Sequence, residues 1–176
     1  LQHRGSDVTE RRGLRPLNHL KQAFEDPANT FQRAEDVRFA LNQLEQMQKG
    51  ASPLAGRLDL GRIGIAGHAF GSLTVLNIAG QLLPSSEGLV SMADKRVKVG
   101  LAMSSPVPPN RETHASIYAP IHIPILHMTG TNDDSPVSTT RAPDRRVPFD
   151  RIQGADQYLV TFRGADHMVF VGHKLP

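Results

Sequence analysis

The feature that most constrains the fold of this chain is a glycine-bounded turn, GHAFG at 67–71, between two apolar segments. The segment before it, 62–66, is short and mostly apolar, as in a buried strand. The segment after it has apolar residues at helical spacing: Leu73, Leu76, Ala79, Leu82 and Leu83. Small residues on both sides of the turn allow a strand and a helix to pack closely. The pattern therefore predicts strand, tight turn and helix, with Ala69 strained at the outside of the turn.

The clearest helix elsewhere in the chain is predicted for residues 32–48, where apolar residues recur every three or four positions. Asn29 and Gln32 have the spacing of a capping box at its start, and Gly50 is a suitable stop. Residues 1–31 have prolines and glycines among polar residues, so we expect a loop there, with a helical turn near 17–24.

Three further segments have the composition of buried or half-buried strands. They are 97–103, 123–129 and 157–162. The proline-rich segment 104–120 is predicted to be a loop, and 135–155 a longer loop with a short helix near 149–152. Strands that alternate with helices or long loops favour an α/β fold, in which a parallel sheet carries helices on both faces.

The composition of the chain sets limits on its class. At 176 residues it has the length of one domain, predicted to span 1–176. Charged residues make up 21% and the mean hydropathy is −0.32, which fit a soluble protein without a membrane span. We recognise no signal peptide in the chain and predict no compartment. The absence of cysteine excludes disulfides and thiolate chemistry.

The net charge of +3 is too small to indicate a nucleic-acid-binding protein. Four arginines near the start form a local basic cluster: Arg4, Arg11, Arg12 and Arg15. Aromatic residues are only 5% of the chain, so the cluster lacks interleaved stacking residues. We interpret it as a solvated loop and predict no nucleic-acid partner.

Polar side chains with catalytic potential follow two of the predicted strands. Asp133 comes after the strand at 123–129, and His167 comes after the strand at 157–162. The carboxyl ends of parallel strands meet at one edge of a sheet, so both should lie near Ala69. A histidine titrates near neutrality and can act as a base, while a carboxylate can orient its ring.

These segments resemble the α/β-hydrolases, and among them the dienelactone-hydrolase-like and platelet-activating-factor-acetylhydrolase-like esterases. GHAFG is similar to their nucleophile elbow GHSFG, while TGTNDDSP and GADHMVF are similar to the segments that bear the acid and the histidine. The resemblance extends from Leu1 to Phe170. It implies a partial α/β-hydrolase fold, incomplete at both ends, and hydrolysis of a small-molecule or polymeric ester without a cofactor.

The resemblance also assigns roles to particular residues. Ala69 occupies the position of the nucleophilic serine, Asp133 that of the acid and His167 that of the base. The backbone N–H of Phe70 is implied as one donor of the oxyanion hole. Asp134 is the alternative acid.

The remaining polar candidates are interpreted as structural. Asp166 is expected to brace the loop before the base, His68 to pack beside the site, and His122 and His127 to lie at the edge of the core. No pair of histidines has metal-ligand spacing with a third ligand nearby, so no metal is predicted.

The chain departs from the family pattern in ways that bear on activity. Ala69 has no oxygen, and Ser72 lies three residues on, inside the predicted helix, so it cannot replace the missing serine. The HG motif of the second oxyanion donor is absent, and the chain ends at Pro176, where relatives continue into a helix. We therefore expect an inactive chain. An engineered serine-to-alanine change and a degenerate natural relative are competing explanations, and the intact acid and base favour a disabled enzyme over a long-degenerate one. A fragment of a longer enzyme is compatible with a disabled one.

Two further interpretations stay open beside a disabled esterase. A hydrolase-like ligand-binding module would keep the pocket without the chemistry, whereas a nucleotide-binding protein would need a glycine-rich phosphate loop, which the sequence lacks. We also expect the elbow strand to lack a neighbour on one side. Such an exposed sheet edge predicts association of the chain with itself.

Overall fold

The computed structural model of the chain describes residue 3 and residues 16–171. The contacts divide the chain into two units, 1–63 and 64–176. The prediction of one domain over 1–176 stays a prediction. The basic cluster and the segment LQHRGSD, interpreted as the end of a family strand, lie outside the described residues, apart from His3.

Two helices form the regular structure described in the first unit. They are α1 (Pro16–Glu25) and α2 (Pro27–Lys49). Helix α1 forms where only a helical turn was predicted, and α2 begins five residues before the predicted start at residue 32. The capping box of Asn29 and Gln32 is therefore wrong. Asp26 is the N-cap of α2, and its carboxylate accepts a hydrogen bond of 2.9 Å from the N–H of Ala28. Proline at the next position, the first of the helix, stabilises this earlier start.

The C-terminal end of α2 follows the sequence prediction. Gly50 is the C-cap, and its N–H donates to the carbonyl oxygen of Gln46 at 2.9 Å. The side chain of Gln48 then holds the following loop, because its amide donates to the Leu58 carbonyl and accepts from the Leu58 N–H, both at 2.9 Å.

The second unit is built around a mostly parallel sheet, as predicted. The strands are β1 (Ile63–His68), which begins at the unit boundary, β2 (Leu82–Ser85), β3 (Gly88–Ser91), β4 (Val97–Met103), β5 (Ile125–Asn132) and β6 (Gln157–Asp166). Four of them form one sheet in the order β1-β4-β5-β6, with β4, β5 and β6 parallel. Non-consecutive neighbours and intervening helices confirm the α/β fold class.

The helix after the turn is shorter than predicted. Helix α3 (Phe70–Ala79) ends where the N–H groups of Gly80 and Gln81 both bond to the carbonyl of Leu76, at 3.0 and 2.8 Å. Leu82 and Leu83, assigned to the helical face from the sequence, instead lie in β2, which pairs with β3 in an antiparallel hairpin. The helical period continues past Ala79 by coincidence, since the pairing of β2 with β3 overrides it.

A second correction concerns the predicted loop 104–120. It contains a 3₁₀ turn, Arg111–Thr113, and a short helix, α4 (His114–Tyr118). A five-residue helix is marginal by itself, so the sequence gives little signal for it. Ile117 and Tyr118 are buried, and tertiary packing therefore stabilises α4. The short helix predicted near 149–152 is confirmed, slightly earlier in the chain, as α5 (Val147–Arg151).

The core of the second unit lies between the sheet and these helices. Its buried members are Val75, Leu76, Ala79, Ala102, Ile117, Tyr118, Ile121, Ile125 and Ile152. They come from α3, β4, α4 and β5, together with Ile121 between α4 and β5 and Ile152 directly after α5. Among the described helices, none is long and apolar enough to cross a membrane.

Candidate active site

The turn between β1 and α3 has the strained geometry that the sequence predicted. Ala69 has φ 53° and ψ −116°, a conformation that non-glycine residues rarely adopt. Its N–H donates to the carbonyl of Met103 at the end of β4, at 2.9 Å. Its carbonyl accepts from the N–H groups of Ser72 and Leu73 at 3.0 and 3.3 Å. Bonds to a neighbouring strand and to the first helical turn therefore hold Ala69 in place.

The two glycines of GHAFG are not equivalent in the structure. A Cβ atom on Gly67 would collide with the backbone carbonyl of Gly71, whereas a Cβ atom on Gly71 would meet no atom within 4 Å. Strand β1 and helix α3 thus approach each other closely at Gly67. Only the first glycine is required by this close approach.

Ser72 does not offer an alternative nucleophile. It is buried, and its hydroxyl donates to the carbonyl oxygen of Ala69 at 2.7 Å. The hydroxyl therefore supports the turn from the helical side, in agreement with the expectation from the sequence.

Asp133 and His167, which are 34 residues apart, are in direct contact. The distance between Asp133 Oδ1 and His167 Nδ1 is 2.7 Å, and the two residues are 0% and 8% exposed. The second carboxylate oxygen, Oδ2, accepts a hydrogen bond of 2.8 Å from the Thr129 hydroxyl. A carboxylate that is fixed at both oxygens can hold the imidazole ring in one orientation.

The backbone of β5 and β6 explains how these two residues meet. A Cβ atom on Gly130 would collide with the backbone of Ala165, so glycine lets the ends of the two strands approach. The pairing changes register between Gly130 and Asn132, which pair with Phe162 and Asp166, so β6 carries extra residues there. Such a bulge redirects the chain at a strand end, and here it precedes His167 directly.

The contacts of His167 identify its tautomer. A carboxylate oxygen 2.7 Å from Nδ1 can only accept, so Nδ1 carries the proton and Nε2 is left as the basic nitrogen. Burial by itself would raise the pKa of Asp133. The hydrogen bond from His167, the nearby hydroxyls of Ser104 and Thr129, and the positive charge of Arg145 together outweigh burial and hold the pKa of Asp133 below its ordinary value.

The alternative acid, Asp134, points elsewhere. Its carboxylate is exposed and accepts hydrogen bonds from the Arg141 guanidinium at 2.8 Å and from the N–H of Ala142 at 2.9 Å. The N–H bond and the pairing with Arg141 lower the pKa of Asp134. Asp134 is not the residue that contacts His167; it holds the loop that follows β5.

Sequence reasoning missed Arg145, which lies against both Asp133 and His167. Its side chain is 1% exposed, and its Nη2 is 3.3 Å from Asp133 Oδ1 and 3.2 Å from His167 Nδ1. Arg145 lies in a 3₁₀ helix, Ala142–Arg146, between two prolines in a predicted loop. Nothing in the local sequence shows that Arg145, rather than the neighbouring Arg146, is the buried residue.

His68, the residue before Ala69, contacts the base from the side of the turn. Its Nε2–H donates to the carbonyl of His167 at 2.8 Å, and the two rings have centroids 4.8 Å apart. Burial, with the neighbouring His167 ring as a smaller cause, lowers the pKa of His68. The turn and the base are therefore joined through His68.

The other structural expectations concern the loop and the core. The Asp166 carboxylate accepts from the N–H of Met168 at 2.8 Å and so braces the turn around His167.

His127 is buried in β5, where Nε2 donates to Gln157 Oε1 at 2.9 Å, whereas His122 is exposed. Phe70 is the first residue of α3 and directly follows Ala69. Within 16–171, no group of three or more acidic or histidine side chains could hold a metal ion.

Comparison with known proteins gives matches among solved structures. No protein-family model and no curated protein sequence matches the chain. A Klebsiella pneumoniae protein assigned to the dienelactone hydrolases is 16% identical with a TM-score of 0.60, over 93% of this chain and 60% of that one. An acylaminoacyl peptidase bound to a chloromethyl ketone is 14% identical with a TM-score of 0.52, over 88% of this chain and 26% of the peptidase. A variant of Arabidopsis thaliana SOBER1 is 16% identical with a TM-score of 0.50, over 81% of this chain and 58% of SOBER1.

At these identities the likeness shows the fold. The chain has the α/β-hydrolase fold and spans about 60% of the length of the Klebsiella protein and the Arabidopsis protein. This agrees with the resemblance that the three sequence segments indicated.

Proposed function

We propose that this chain carries the site of a carboxylic ester hydrolase that acts through a serine, a histidine and an aspartate, and that Ala69 leaves it inactive. The observation that carries the proposal is the hydrogen bond of 2.7 Å between His167 and Asp133. It supplies a base with a defined tautomer beside a strained turn of the kind that presents a nucleophile.

Each residue has a role in the reaction that the site would perform with serine at position 69. His167 Nε2 would take the proton of the serine hydroxyl as the oxygen attacks the ester carbonyl, and Asp133 would stabilise the imidazolium. The N–H of Phe70 would donate to the carbonyl oxygen as it becomes negative. His167 would then protonate the departing alcohol, and water would release the acyl group by the same steps.

Alanine at position 69 removes the first of these steps. Loss of the serine from such a unit costs about a million-fold in turnover. Neither Ser72, whose hydroxyl is bonded to the turn, nor another described residue of the turn supplies a replacement. The site would therefore catalyse ester hydrolysis with serine at position 69, and the chain with Ala69 is inactive.

The test is to restore the serine. Ala69→Ser, made in the longest natural chain that contains this sequence, should hydrolyse p-nitrophenyl acetate well above the unchanged protein, and His167→Ala should abolish the gain. Asp134→Asn is the matched control and should leave the gain in place. If the Ala69→Ser protein is folded by circular dichroism yet cleaves no short-chain aryl ester above background, the proposal fails.

A second candidate function is a ligand-binding module with a hydrolase fold. The observation in its favour is Ala69 itself, because the turn keeps its strained geometry without a nucleophile. Such a module should bind short-chain esters or their carboxylates in isothermal titration calorimetry and should gain no activity from Ala69→Ser. Gain of activity by Ala69→Ser without binding by the unchanged chain would reject it.

We also propose that the chain associates with itself through β1. Within the described residues β1 is an edge of the four-stranded sheet, with β4 on its only paired side, and Gly64 and Ala66 are exposed. Unpaired edges favour pairing with another chain, and a charged side chain opposes it. Ala66→Lys should therefore lower the sedimentation coefficient measured at micromolar concentration, whereas a monomeric unchanged chain would exclude this association.

A further inference from the structure

Arg145 is buried where three strand ends meet, and all of its nitrogen atoms have partners. Nη1 donates to the carbonyl of Ser104 at 2.7 Å, and Nε donates to the carbonyl of Asp133 at 3.0 Å. Nη2 faces Asp133 Oδ1 at 3.3 Å. Ser104 follows β4, Asp133 follows β5, and the guanidinium therefore ties two strand ends to each other.

The same guanidinium lies beside the base that follows β6. Its Nη2 is 3.2 Å from His167 Nδ1. Both nitrogens carry hydrogen in the tautomer that the Asp133 contact requires, so this approach is not a hydrogen bond. Both nitrogens instead face the same oxygen, Asp133 Oδ1. It is hydrogen-bonded to His167 Nδ1 at 2.7 Å and forms an ion pair with Arg145 Nη2 at 3.3 Å. The planar guanidinium of arginine can contact Ser104, Asp133 and His167 together through its three nitrogens, whereas a lysine has only one side-chain nitrogen.

The strained backbone at Ser104 supports a dedicated role for the contacts that Arg145 makes with Ser104 and Asp133. Ser104 has φ 53°, a conformation that costs free energy for a non-glycine residue. Its N–H donates to Met128 of β5 at 2.8 Å, while its carbonyl accepts from Arg145. The residue before it, Met103, accepts the N–H of Ala69. The contacts of Arg145 thus continue through β4 to the strained turn.

We infer that Arg145 is a positioning residue that holds Asp133 against His167 and balances the carboxylate charge beside the base, a role that rests on the proposed ester hydrolase function. A buried carboxylate alone would favour the imidazolium form before any substrate is bound. A guanidinium at similar distance opposes that effect, because its positive charge disfavours a second positive charge on the ring. Loss of Arg145 should therefore shift the balance toward imidazolium.

The charged and titratable groups around His167 come from four elements. Asp133 follows β5, Arg145 lies in the 3₁₀ helix, His68 ends β1, and Asp166 ends β6. Asp166 is bonded to the N–H of Met168, and the Nε2–H of His68 is bonded to the His167 carbonyl. The rings of His68 and His167 are neighbours, so the effect of Arg145 on His167 must be read from resonances of the His167 ring alone.

The test follows the His167 ring by NMR in the unchanged chain, so it requires no catalytic activity. His167→Gln assigns the ring resonances. In Arg145→Gln the pH midpoint of the His167 titration should move upward by about one unit or more, because a neighbouring positive charge is gone. Arg146→Gln is the matched control: it removes the same charge from an exposed side chain paired with Asp150, and should leave the midpoint unchanged.

Arg145→Lys keeps the positive charge but removes the planar guanidinium with its three nitrogens. It also provides a test if Arg145→Gln does not fold. It should keep the midpoint close to that of the unchanged chain, but the Nδ1 proton of His167 should exchange faster with solvent. An unchanged midpoint in folded Arg145→Gln, or unchanged proton exchange in Arg145→Lys, would overturn the inference. Either result would leave the esterase test at position 69 unaffected, and failure of that test would leave this one valid.

Discussion

Asp133 and Asp134 are neighbours in the sequence, yet they occupy opposite environments. Asp133 is fully buried and bonded to Thr129 and His167, whereas the carboxylate of Asp134 is exposed and bonded to Arg141. Both carboxyl groups have a lowered pKa, but for different reasons. For Asp133 the interactions must overcome the effect of burial, while for Asp134 a hydrogen bond from the backbone is the largest cause.

The difference between Asp133 and Asp134 shows which interactions a charged group at a strand end needs when it is buried. A buried charge is tolerated only when every part of it has a partner, and removal of one partner leaves another charge exposed to the low dielectric of the interior. An exposed ion pair is screened by water and contributes little. Similar contrasts occur at Gly67 and Gly71 and at His127 and His122, which suggests three paired tests.

The largest effect is expected from the two carboxylates. Asp133→Asn leaves the Arg145 guanidinium buried without its counter-charge and should lower the free energy of unfolding by about 3–5 kcal/mol. Asp134→Asn should change it little, because its partner Arg141 remains in water. Urea unfolding of both variants near neutral pH measures the difference. Equal losses would show that burial does not separate the two residues.

A smaller effect is expected at the glycines of the turn. Gly67→Ala should lower the free energy of unfolding by about 1–3 kcal/mol, because the new Cβ atom forces β1 away from α3. Gly71→Ala places its Cβ atom in open space within a helix, where alanine is favoured over glycine, so stability should be equal or higher. Thermal unfolding of the two variants tests this; the reverse order would contradict the observed geometry.

The smallest effect is expected from the pH dependence of His127. Burial lowers the pKa of His127 below 6.5 despite its bond to Gln157, so the folded chain holds it neutral. Below about pH 6.5 the unfolded chain binds a proton that the folded chain does not, and stability falls until the lower folded pKa is reached. His68 contributes with the same sign.

The comparison with His122 isolates this contribution. His127→Gln should reduce the loss of stability between about pH 7 and about pH 5, whereas His122→Gln, at an exposed position, should retain the full loss. Urea unfolding at the two pH values provides the measurement. An unchanged pH dependence in His127→Gln would mean that the buried ring does not contribute.

Several elements could be predicted because their signals are local. Most of α2 was predicted, as 32–48, from the spacing of its apolar residues, and β4 at 97–103 was predicted from its short apolar run. The strand at 82–85 could not be predicted, because β2 depends on pairing with β3, and the helical spacing of apolar residues continues as far as Leu83. Helix α4 was missed for a similar reason: five residues carry too little local preference to outweigh the surrounding prolines.

The candidate site divides in the same way. The order of the segments, the small residues of the turn, and a carboxylate and a histidine after two strands can be read from the chain, because each depends on nearby residues. That Asp133 rather than Asp134 contacts His167, and that Arg145 rather than Arg146 lies against both, follows from the three-dimensional fold. Neighbouring residues of one type differ only in which strand ends lie beside them, and that proximity is set by packing across the sheet.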